Sequence, residues 1–396
     1  MNTAVKRLAL PLGGAIAATS MIGATLVGTA SATTAPAKKV VSMASSAAEA
    51  QKVSDFWTAN GGAKFKAAAQ FTDNAQQSGK VKLGGGDAAP DGKAGVVPPI
   101  GGEPKVTAKI KNINLPKTIG KVFFVADGNL YWCSASSVQS KYHNLVATAG
   151  HCVFDENIQN GALDYWVFVP GYYQGKAPWG VYVGKAAYTH YDFAVYEDFD
   201  SDYAFVTVYN GISFGGIKQV DKETYDNWQS PLKSTRGENY YVAVFKDAGR
   251  LGDNVGGQGF TWNQKPGQPV YVFGYPAAAH PDGDTPFTGV TPKWCYGKTF
   301  AAAPAAAFKA EAQIGLKCSM TAGSSGAPWI LKYSNTKRLG YINGVTSLIG
   351  DADGNGRIDF STSPYFDSET YAIYKAAANL WSGSIVTSNG ELVKKA

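Results

Sequence analysis

Short apolar runs separated by turn-forming residues cover most of the chain after Lys121. The runs KVFFVA, YWVFVP, YAFVTV and PVYVFGY are rich in β-branched and aromatic residues, and Gly, Asn, Asp and Pro lie between them. Many short strands without intervening helical periodicity are typical of a β-sandwich or a β-barrel. The pattern therefore predicts an all-β domain.

One late segment, FDSETYAIYKAAANLW, has a different period. Tyr371, Tyr374, Ala378 and Trp381 recur at helical spacing, and Asp367 stands at a position that suits a helix N-cap. We therefore expect a C-terminal helix that packs on the β domain.

The first 32 residues form a pattern of their own. Lys6 and Arg7 precede an apolar stretch at residues 8–27, and the sequence Ala-Ser-Ala follows at 30–32. This layout is typical of a secretory signal peptide and predicts an extracellular protein. A membrane anchor is the alternative, although the glycines, threonines and proline of the stretch disfavour a stable span. Later apolar runs stay below the roughly 18 residues that a span requires, so we expect no membrane association of the mature protein.

Residues 33–115 separate the signal peptide from the β domain, which we place at 116–396. Residues 46–71 could form an amphipathic helix, although two adjacent glycines interrupt it. Residues 81–104 are rich in Gly and Pro and nearly free of large apolar side chains, which predicts a linker that does not order by itself. We expect a partly disordered leader that is either a removable pro-segment or a plain flexible extension.

The net charge of +6 does not indicate a nucleic-acid partner. Residues 1–120 hold 14 Lys and Arg against 6 Asp and Glu, whereas residues 121–396 hold 22 against 24. The basic excess therefore belongs to the leader, and we expect no nucleic-acid binding by the β domain.

The chain has four cysteines: Cys133, Cys152, Cys295 and Cys318. An even number in a secreted chain indicates two disulfides, and counting alone leaves three pairings open. Pairing of sequence neighbours would close two loops of about 20 residues. Each disulfide would then stabilise the folded state by roughly 3 kcal/mol, because it restricts the unfolded chain. A zinc site is disfavoured because the spacings do not match those of zinc ligands.

Three separate segments hold residues suited to nucleophilic catalysis, which needs a nucleophile, a base and a group that orients the base. The sequence GSSG at 323–326 is either a flexible loop or a tight turn that presents Ser325. His151 follows the apolar run NLVATA, and the adjacent Cys152 can fix its turn. Asp202 precedes the apolar run YAFVTV and is the best candidate for the orienting carboxylate.

The blocks TAGHC, DYAF and GSSGAP occur in this order and resemble the His, Asp and Ser blocks of the chymotrypsin-fold serine peptidases, in particular their secreted bacterial branch. The resemblance spans about residues 120–385. It implies two antiparallel six-stranded β-barrels. It also implies that Ser325 is the nucleophile, that His151 is the general base and acid, and that Asp202 orients the histidine.

Further features follow from the same resemblance. The backbone N–H groups of Gly323 and Ser325 would form the oxyanion hole. Disulfides would join Cys133 to Cys152 beside the histidine and Cys295 to Cys318 near the serine. The strand GVTSL at 344–348 would pair with the backbone of a substrate.

The chain also departs from the family pattern. Ser324 stands where animal members carry the aspartate that pairs with a new N-terminal ammonium, so activation by that salt bridge is in doubt. Ala327 replaces the second glycine of the usual Gly-Gly-Pro. Ser319, Thr346 and Ser347 would line a small polar pocket, and the serine at 319 disfavours a preference for Lys or Arg.

The segment DADGNGRID matches part of a calcium-loop pattern. Asp351, Asp353, Asn355 and Asp359 stand at ligand positions, but Thr362 replaces the bidentate glutamate. A polar hairpin turn is the alternative interpretation. We expect no cofactor to be required, and calcium, if bound, would be structural.

Together these features predict a secreted serine endopeptidase that acts on proteins or peptides through an acyl-enzyme, and we expect a monomer. Two alternatives remain open. One is an esterase on the same fold, and the other is a catalytically silent binding or adhesion protein.

Overall fold

The computed structural model describes residues 38–71, 75–101, 115–155, 161–387 and 390. The predicted signal peptide lies outside the described residues. Within them, short strands dominate, as the alternation of apolar runs and turns predicts.

The leader and the first half supply strands Lys38–Ser42 (β1), Ala69–Gln70 (β2), Gln76–Lys80 (β3), Gly95–Val97 (β4), Ile119–Ala126 (β5), Asn129–Val138 (β6), Leu145–Thr148 (β7), Asp164–Pro170 (β8), Tyr182–His190 (β9) and Ala204–Val208 (β10). The remainder supplies Gly211–Val220 (β11), Lys233–Arg236 (β12), Asn239–Gly249 (β13), Gly259–Trp262 (β14), Pro269–Gly274 (β15), Lys293–Lys298 (β16), Phe300–Ala301 (β17), Ile314–Lys317 (β18), Pro328–Ser334 (β19), Leu339–Val345 (β20), Ile349–Asp351 (β21) and Phe360–Ser363 (β22). The helices are Ala47–Ala67 (α1), Tyr191–Tyr196 (α2), Lys222–Asn227 (α3), Leu251–Val255 (α4) and Ser368–Ala378 (α5).

Six strands of the first half close into a barrel. They pair antiparallel in the order β9-β10-β7-β6-β5-β8, and β8 pairs with β9 to complete the ring. The barrel interior is apolar, with Val122, Phe124, Val146, Phe168 and Val206 all fully buried. Alternating apolar residues on closely spaced strands thus form the barrel that the sequence pattern predicts.

In the second half, strands β11, β13 and β12 form a separate three-stranded sheet, and the described strands after β13 form two larger sheets. One has the order β16-β15-β19-β20-β14-β4, and the other has the order β17-β18-β22-β21-β3. The pairings β14–β20 and β21–β3 are parallel. The expected second closed six-stranded barrel is not confirmed, because the described strands after β13 divide between two sheets. The leader strands β4 and β3 occupy the positions beside β14 and β21 in these sheets.

The structure differs from the sequence expectation at residues 81–101, which were expected to form an unordered linker. Strand β4 pairs with β14, and Ala88 packs into an apolar cluster of the second half. Glycine explains the close fit, because a Cβ at Gly86 would lie 1.8 Å from the Ala302 carbonyl oxygen and one at Gly95 would lie 2.0 Å from the Trp262 ring. The segment has few large apolar side chains, but its glycines let its backbone lie directly on the sheet.

Helix α1 ties the leader to the barrel wall. Ser46 and Glu49 form a capping box at its start, and non-helical residues at the predicted glycine pair divide it near 59–62. The rings of Trp57 and Phe65 stack with centroids 5.1 Å apart, and Phe65 lies 4.9 Å from Phe123 of β5. The leader therefore contributes buried aromatic surface to the domain.

The predicted C-terminal helix is confirmed as α5. The Asp367 side chain accepts from the Thr370 N–H group, as an N-cap residue does. Tyr374 is buried and stacks on Phe260 with centroids 4.3 Å apart, whereas Trp381 lies beyond the helix and is exposed. None of the helices in the described ranges is long and apolar enough to cross a bilayer.

Lys121 is a buried lysine in β5 that contacts aromatic rings. Its Nζ atom lies 3.3 Å from the centroid of the Trp132 ring and 4.6 Å from that of Tyr172. These ring faces favour the ammonium ion. Burial opposes it and lowers the pKa of the lysine to about 6. The folded protein therefore favours the neutral amine at neutral pH.

Replacing Lys121 with Met should make the free energy of unfolding less dependent on pH. The folded pKa of about 6 lies below the usual value of 10.5, so the unfolded chain binds more protons between these values. Native stability should consequently rise with pH across this window, by up to a few kcal/mol, and methionine removes that contribution. Urea unfolding of both proteins at about pH 6.5 and about pH 9 measures this pH dependence. An equal change in the free energy of unfolding in both proteins would contradict the lowered pKa of Lys121.

Candidate active site

His151 lies in a short 3₁₀ turn, Gly150–Cys152, directly after strand β7. The disulfide between Cys133 and Cys152 ties this turn to β6, and the Trp166 Nε1–H group donates to the Cys152 carbonyl oxygen. His151 itself is only 4% exposed. The turn is therefore fixed from two sides, and the imidazole has a defined position.

Asp202 is fully buried and directly contacts His151. Its Oδ2 atom lies 2.8 Å from His151 Nδ1, and its Oδ1 atom accepts the backbone N–H of His151 at 2.9 Å. Ser347 Oγ donates to Oδ2 at 2.6 Å. Three donors thus hold the carboxylate, which in turn fixes the plane and rotation of the imidazole.

Gly150 makes the close approach of Asp202 to the histidine turn sterically feasible. A Cβ at this position would lie 2.5 Å from the Phe193 ring and 3.0 Å from Asp202 Oδ1. A larger residue would push the carboxylate away from His151. This contact gives a structural reason for the glycine in the TAGHC block.

The GSSG turn is buried and fixed, which does not fit a flexible surface loop. Gly323 and Gly326 have φ values of +95° and +77°. A Cβ at Gly326 would lie 2.1 Å from Thr148 Oγ1 and 2.9 Å from the Ala149 nitrogen. The turn therefore packs against the end of β7, two residues before His151, and a side chain at position 326 would separate them.

The two serines of the turn have different environments. Ser324 is fully buried, and its hydroxyl donates to the Thr321 carbonyl oxygen at 2.7 Å. Ser325 keeps 6% of its surface exposed. Ser324 is thus held by the interior of the domain, in keeping with a position that carries no charge.

Hydrogen bonds orient the peptide groups around Ser325. The Ala322 carbonyl accepts the Ala277 N–H at 3.0 Å, and the Ser324 carbonyl accepts the Ala327 N–H at 2.9 Å. In a planar trans peptide the N–H group points opposite to the carbonyl. The N–H groups of Gly323 and Ser325 therefore point away from these interior bonds.

Ser134 of β6 connects the serine turn to the barrel. Its hydroxyl donates to the Gly323 carbonyl oxygen at 2.8 Å, and its backbone N–H donates to the Ser325 carbonyl oxygen at 2.8 Å. Ser134 directly follows the disulfide-bonded Cys133, so one strand positions both the histidine turn and the serine turn. The sequence analysis missed this residue because a serine inside an apolar strand carries no distinctive local signal.

The candidate pocket residues divide between the interior and the surface. Thr346 and Ser347 are buried, and Thr346 Oγ1 accepts the Trp329 Nε1–H group at 3.0 Å. Ser319 is exposed and lines a surface cavity with Trp294 and Cys295. The structure thus brings Ser347 to the His151–Asp202 pair and places Ser319 in a different environment, and its role in substrate binding stays a prediction.

Two aromatic rings lie near the imidazole, and the sequence analysis missed both. The ring centroids of Phe71 and Phe199 are 6.3 Å and 6.1 Å from that of His151, with interplanar angles of 23° and 22°. Phe199 precedes Asp202 by only three residues, so its proximity could have been expected. Phe71 belongs to the leader, and only the folded chain brings it here.

The segment that carries Phe199 is tied to the second half of the domain. The Phe199 carbonyl accepts from Gln313 Nε2 at 2.6 Å. The carboxylate of Asp200 accepts the backbone N–H groups of Glu311 and Ala312 at 2.8 Å and 3.0 Å. Burial raises the pKa of Asp200 to about 6, despite these bonds.

The second disulfide joins Cys295 of β16 to Cys318, which directly follows β18. Both disulfides have the pairing that the resemblance implied, and each links sequence neighbours. All four cysteines of the chain are therefore engaged.

The carboxylates of the candidate calcium loop lie close together. Oxygens of Asp351, Asp353 and Asp359 lie within 4.8 Å of one another. Asp351 also accepts the backbone N–H groups of Gly354 and Gly356, both at 2.7 Å. The oxygen ligands suit a hard cation, while the same carboxylates also stabilise the turn.

Comparison with solved structures relates this chain to serine proteases. Protease Anisep from Arthrobacter nicotinovorans is 28% identical, and the match covers 67% of this chain and 98% of that chain with a TM-score of 0.50. The thermostable serine protease AL20 from an extremophilic microorganism is also 28% identical, with coverage of 66% and 97% and a TM-score of 0.49. A Glu endopeptidase is 14% identical, with coverage of 70% and 98% and a TM-score of 0.43. Scans against protein-family models and curated proteins give no match.

The chain has the fold of the chymotrypsin-type serine proteases, as the sequence blocks implied. The closed barrel and the similarity to Anisep support this assignment. The same similarity supports a hydrolase with protease activity.

Proposed function

We propose that this protein is a secreted serine endopeptidase in which Ser325, His151 and Asp202 form the catalytic triad. The observation that carries the proposal is the buried pair of His151 and Asp202, with Nδ1 and Oδ2 2.8 Å apart, beside a rigid GSSG turn packed on the same strand end. Such a pair orients a base, and such a turn presents a hydroxyl group.

The proposed reaction is acyl transfer. When Nδ1 donates to Asp202, the neutral imidazole keeps Nε2 as its proton acceptor. Nε2 takes the Ser325 proton as the hydroxyl attacks the scissile carbonyl carbon, and the N–H groups of Gly323 and Ser325 stabilise the oxyanion. His151 then protonates the leaving amine. In the second half of the reaction, His151 accepts a proton from the attacking water and returns one to the Ser325 oxygen as the acyl group leaves.

A fluorophosphonate probe tests this proposal. We expect covalent labelling at Ser325, mapped by peptide mass analysis on the full-length chain before and after limited proteolysis. A peptide library and a set of short esters then separate endopeptidase from esterase activity. Labelling at another residue would overturn the assignment of Ser325 as the nucleophile. An absence of labelling in every folded form would support the silent binding protein instead.

Secretion and the monomeric state belong to the same proposal. Two disulfides are typical of an oxidising compartment outside the cytosol, which fits the predicted signal peptide at residues 1–32. The charge balance of residues 121–396 fits protein or peptide substrates better than a polyanion. Residues 33–115 would be a pro-segment, and the N-terminus of the mature enzyme would show where it is removed.

We further propose that the loop of Asp351, Asp353, Asn355 and Asp359 holds a structural calcium ion. Bound calcium would neutralise the clustered carboxylates and stabilise the folded state by mass action. The melting temperature should therefore rise by a few degrees in millimolar calcium and fall with a chelator, which differential scanning calorimetry measures. Replacing Asp353 with Asn should remove the response, and a melting temperature indifferent to calcium would contradict the proposal.

A further inference from the structure

We propose that two pieces of the leader, residues 69–71 and 75–77, which we together call the strap, flank the candidate active site, inhibit it and keep the full-length chain latent. The inference rests on the proposed function, since a strap inhibits only where catalysis occurs. It follows from contacts on both sides of the His151–Asp202 pair. Residues 72–74 lie outside the described residues and are not part of the strap as defined.

The first side of the strap contacts β6 next to the disulfide. Ala69 and Gln70 pair in parallel with Tyr131 and Trp132, and the Phe71 N–H group donates to the Trp132 carbonyl at 2.9 Å. These residues immediately precede Cys133, which is bonded to the histidine turn. The strap therefore occupies backbone groups of β6 directly before the cysteine that is bonded to the histidine turn.

Side chains of the same piece reach the reacting groups. The Phe71 ring lies 6.3 Å from the His151 ring and 5.2 Å from Phe124, with which it makes an edge contact. A Cβ at Gly323 would lie 3.1 Å from the Gln70 Cβ atom. Gln70 thus faces the glycine proposed for the oxyanion hole, and Phe71 faces the proposed base.

The second side of the strap contacts β21, which follows the strand expected to bind substrate. The Ile349 N–H group donates to the Ala75 carbonyl at 3.0 Å, and Gln76 is the parallel partner of Ile349. Ala75 is buried in a cluster with Leu348. An extended peptide entering along this edge would need the same backbone groups.

The rest of the leader anchors the strap firmly. Strand β1 pairs with five residues of β9, from Lys38 opposite His190 to Ser42 opposite Ala186. Trp57 is fully buried, and its Nε1–H group donates to the Tyr165 carbonyl. Spontaneous release would expose this aromatic surface, so we expect the latent state to dominate until the strap is cut or displaced.

Replacing Phe71 with Ala should activate the full-length chain. The variant loses the ring contacts with His151, Phe124 and Tyr131 but keeps the leader helix. We expect the rate of fluorophosphonate labelling and of peptide hydrolysis to rise about tenfold or more, because weaker docking increases the open population. Labelling rates are followed by gel fluorescence on intact protein.

The matched control is Phe56→Ala, which removes a phenylalanine of the same leader that stacks on Tyr165, 4.2 Å away. It should leave the labelling rate unchanged within about twofold. A second variant, Gln77→Pro, acts at the other edge, since proline removes a donor from the strand paired with β21. It should also activate, and it serves as the test if Phe71→Ala fails to fold by circular dichroism.

The outcomes separate the two proposals. If the unmodified chain is labelled at the full rate and neither strap variant changes that rate, the strap proposal is overturned. The proposed peptidase function would not be affected by this outcome. Equal activation by Phe56→Ala would show general loosening of the leader and would also overturn it. An absence of labelling in every folded variant, even after limited proteolysis, would instead overturn the proposed function.

Discussion

Replacing Ser325 with Ala should lower kcat/KM for peptide hydrolysis by about 10⁴- to 10⁶-fold, measured in the Phe71→Ala background so that the strap does not limit the rate. The loss is large because no other group in the turn can form the acyl-enzyme. Ser324 cannot substitute, since its hydroxyl is fully buried and donates to the Thr321 carbonyl. Residual activity would come from substrate positioning and the oxyanion donors acting on water.

Ser324→Ala is the matched control because it removes a hydroxyl from the adjacent residue. We expect it to lower the free energy of unfolding by roughly 1 kcal/mol through the lost hydrogen bond, while kcat/KM changes by a few-fold. Stopped-time assays with the same peptide and denaturant melts measure the two effects separately. If Ser325→Ala kept a tenth of the activity, or if the larger loss followed Ser324→Ala, the nucleophile would be misassigned.

The candidate site could be proposed from the sequence where chemistry imposes a narrow local pattern. TAGHC needs glycine because Phe193 and Asp202 leave no room for a side chain at position 150. GSSGAP needs glycine at position 326 because Thr148 and Ala149 lie directly against it. Such short patterns are visible in one chain, since the constraint falls on the residues themselves.

The fold was predictable only in part, for a related reason. Alternating apolar residues indicated many short strands, and six of them, β5 to β10, did close into a barrel. The expectation for the second half took no account of the leader strands β3 and β4, which lie at the edges of its two sheets. Short strands with few large apolar side chains carry little apolar periodicity, and their positions depend on pairing with distant segments.

The contacts of Phe71 and Ser134 illustrate the remaining limit. Neither residue stands in a recognisable block, and each acts through partners more than 50 residues away. Buried hydrogen bonds and ring contacts of this kind depend on tertiary structure alone. The regulatory role that we propose for the leader could therefore be argued only from the folded chain.

The second large effect is expected from Asp202→Asn, which should lower kcat/KM by about 10⁴-fold while the protein remains folded. The carboxylate accepts hydrogen bonds from the His151 backbone, from His151 Nδ1 and from Ser347. An amide has one oxygen, so its NH₂ group must face one of these donors. If it faces Nδ1, the imidazole proton moves to Nε2, and the ring can no longer accept the Ser325 proton.

Asp198→Asn provides the control for this change, because Asp198 lies in the same loop and caps a 3₁₀ turn by accepting the Asp200 N–H at 2.9 Å. It should leave kcat/KM within a few-fold of the parent, since its carboxylate does not contact His151.

Ser347→Ala should lower kcat/KM about tenfold, a loss between those of the other two variants. It removes one of the three hydrogen bonds to the Asp202 carboxylate but does not place a donor where the carboxylate accepts. The loss in kcat/KM should thus be largest for Asp202→Asn, in which an NH₂ donor replaces an accepting oxygen. This order of losses is expected only if the carboxylate sets the tautomer of His151. Similar losses in all three variants would instead point to general disruption of the loop.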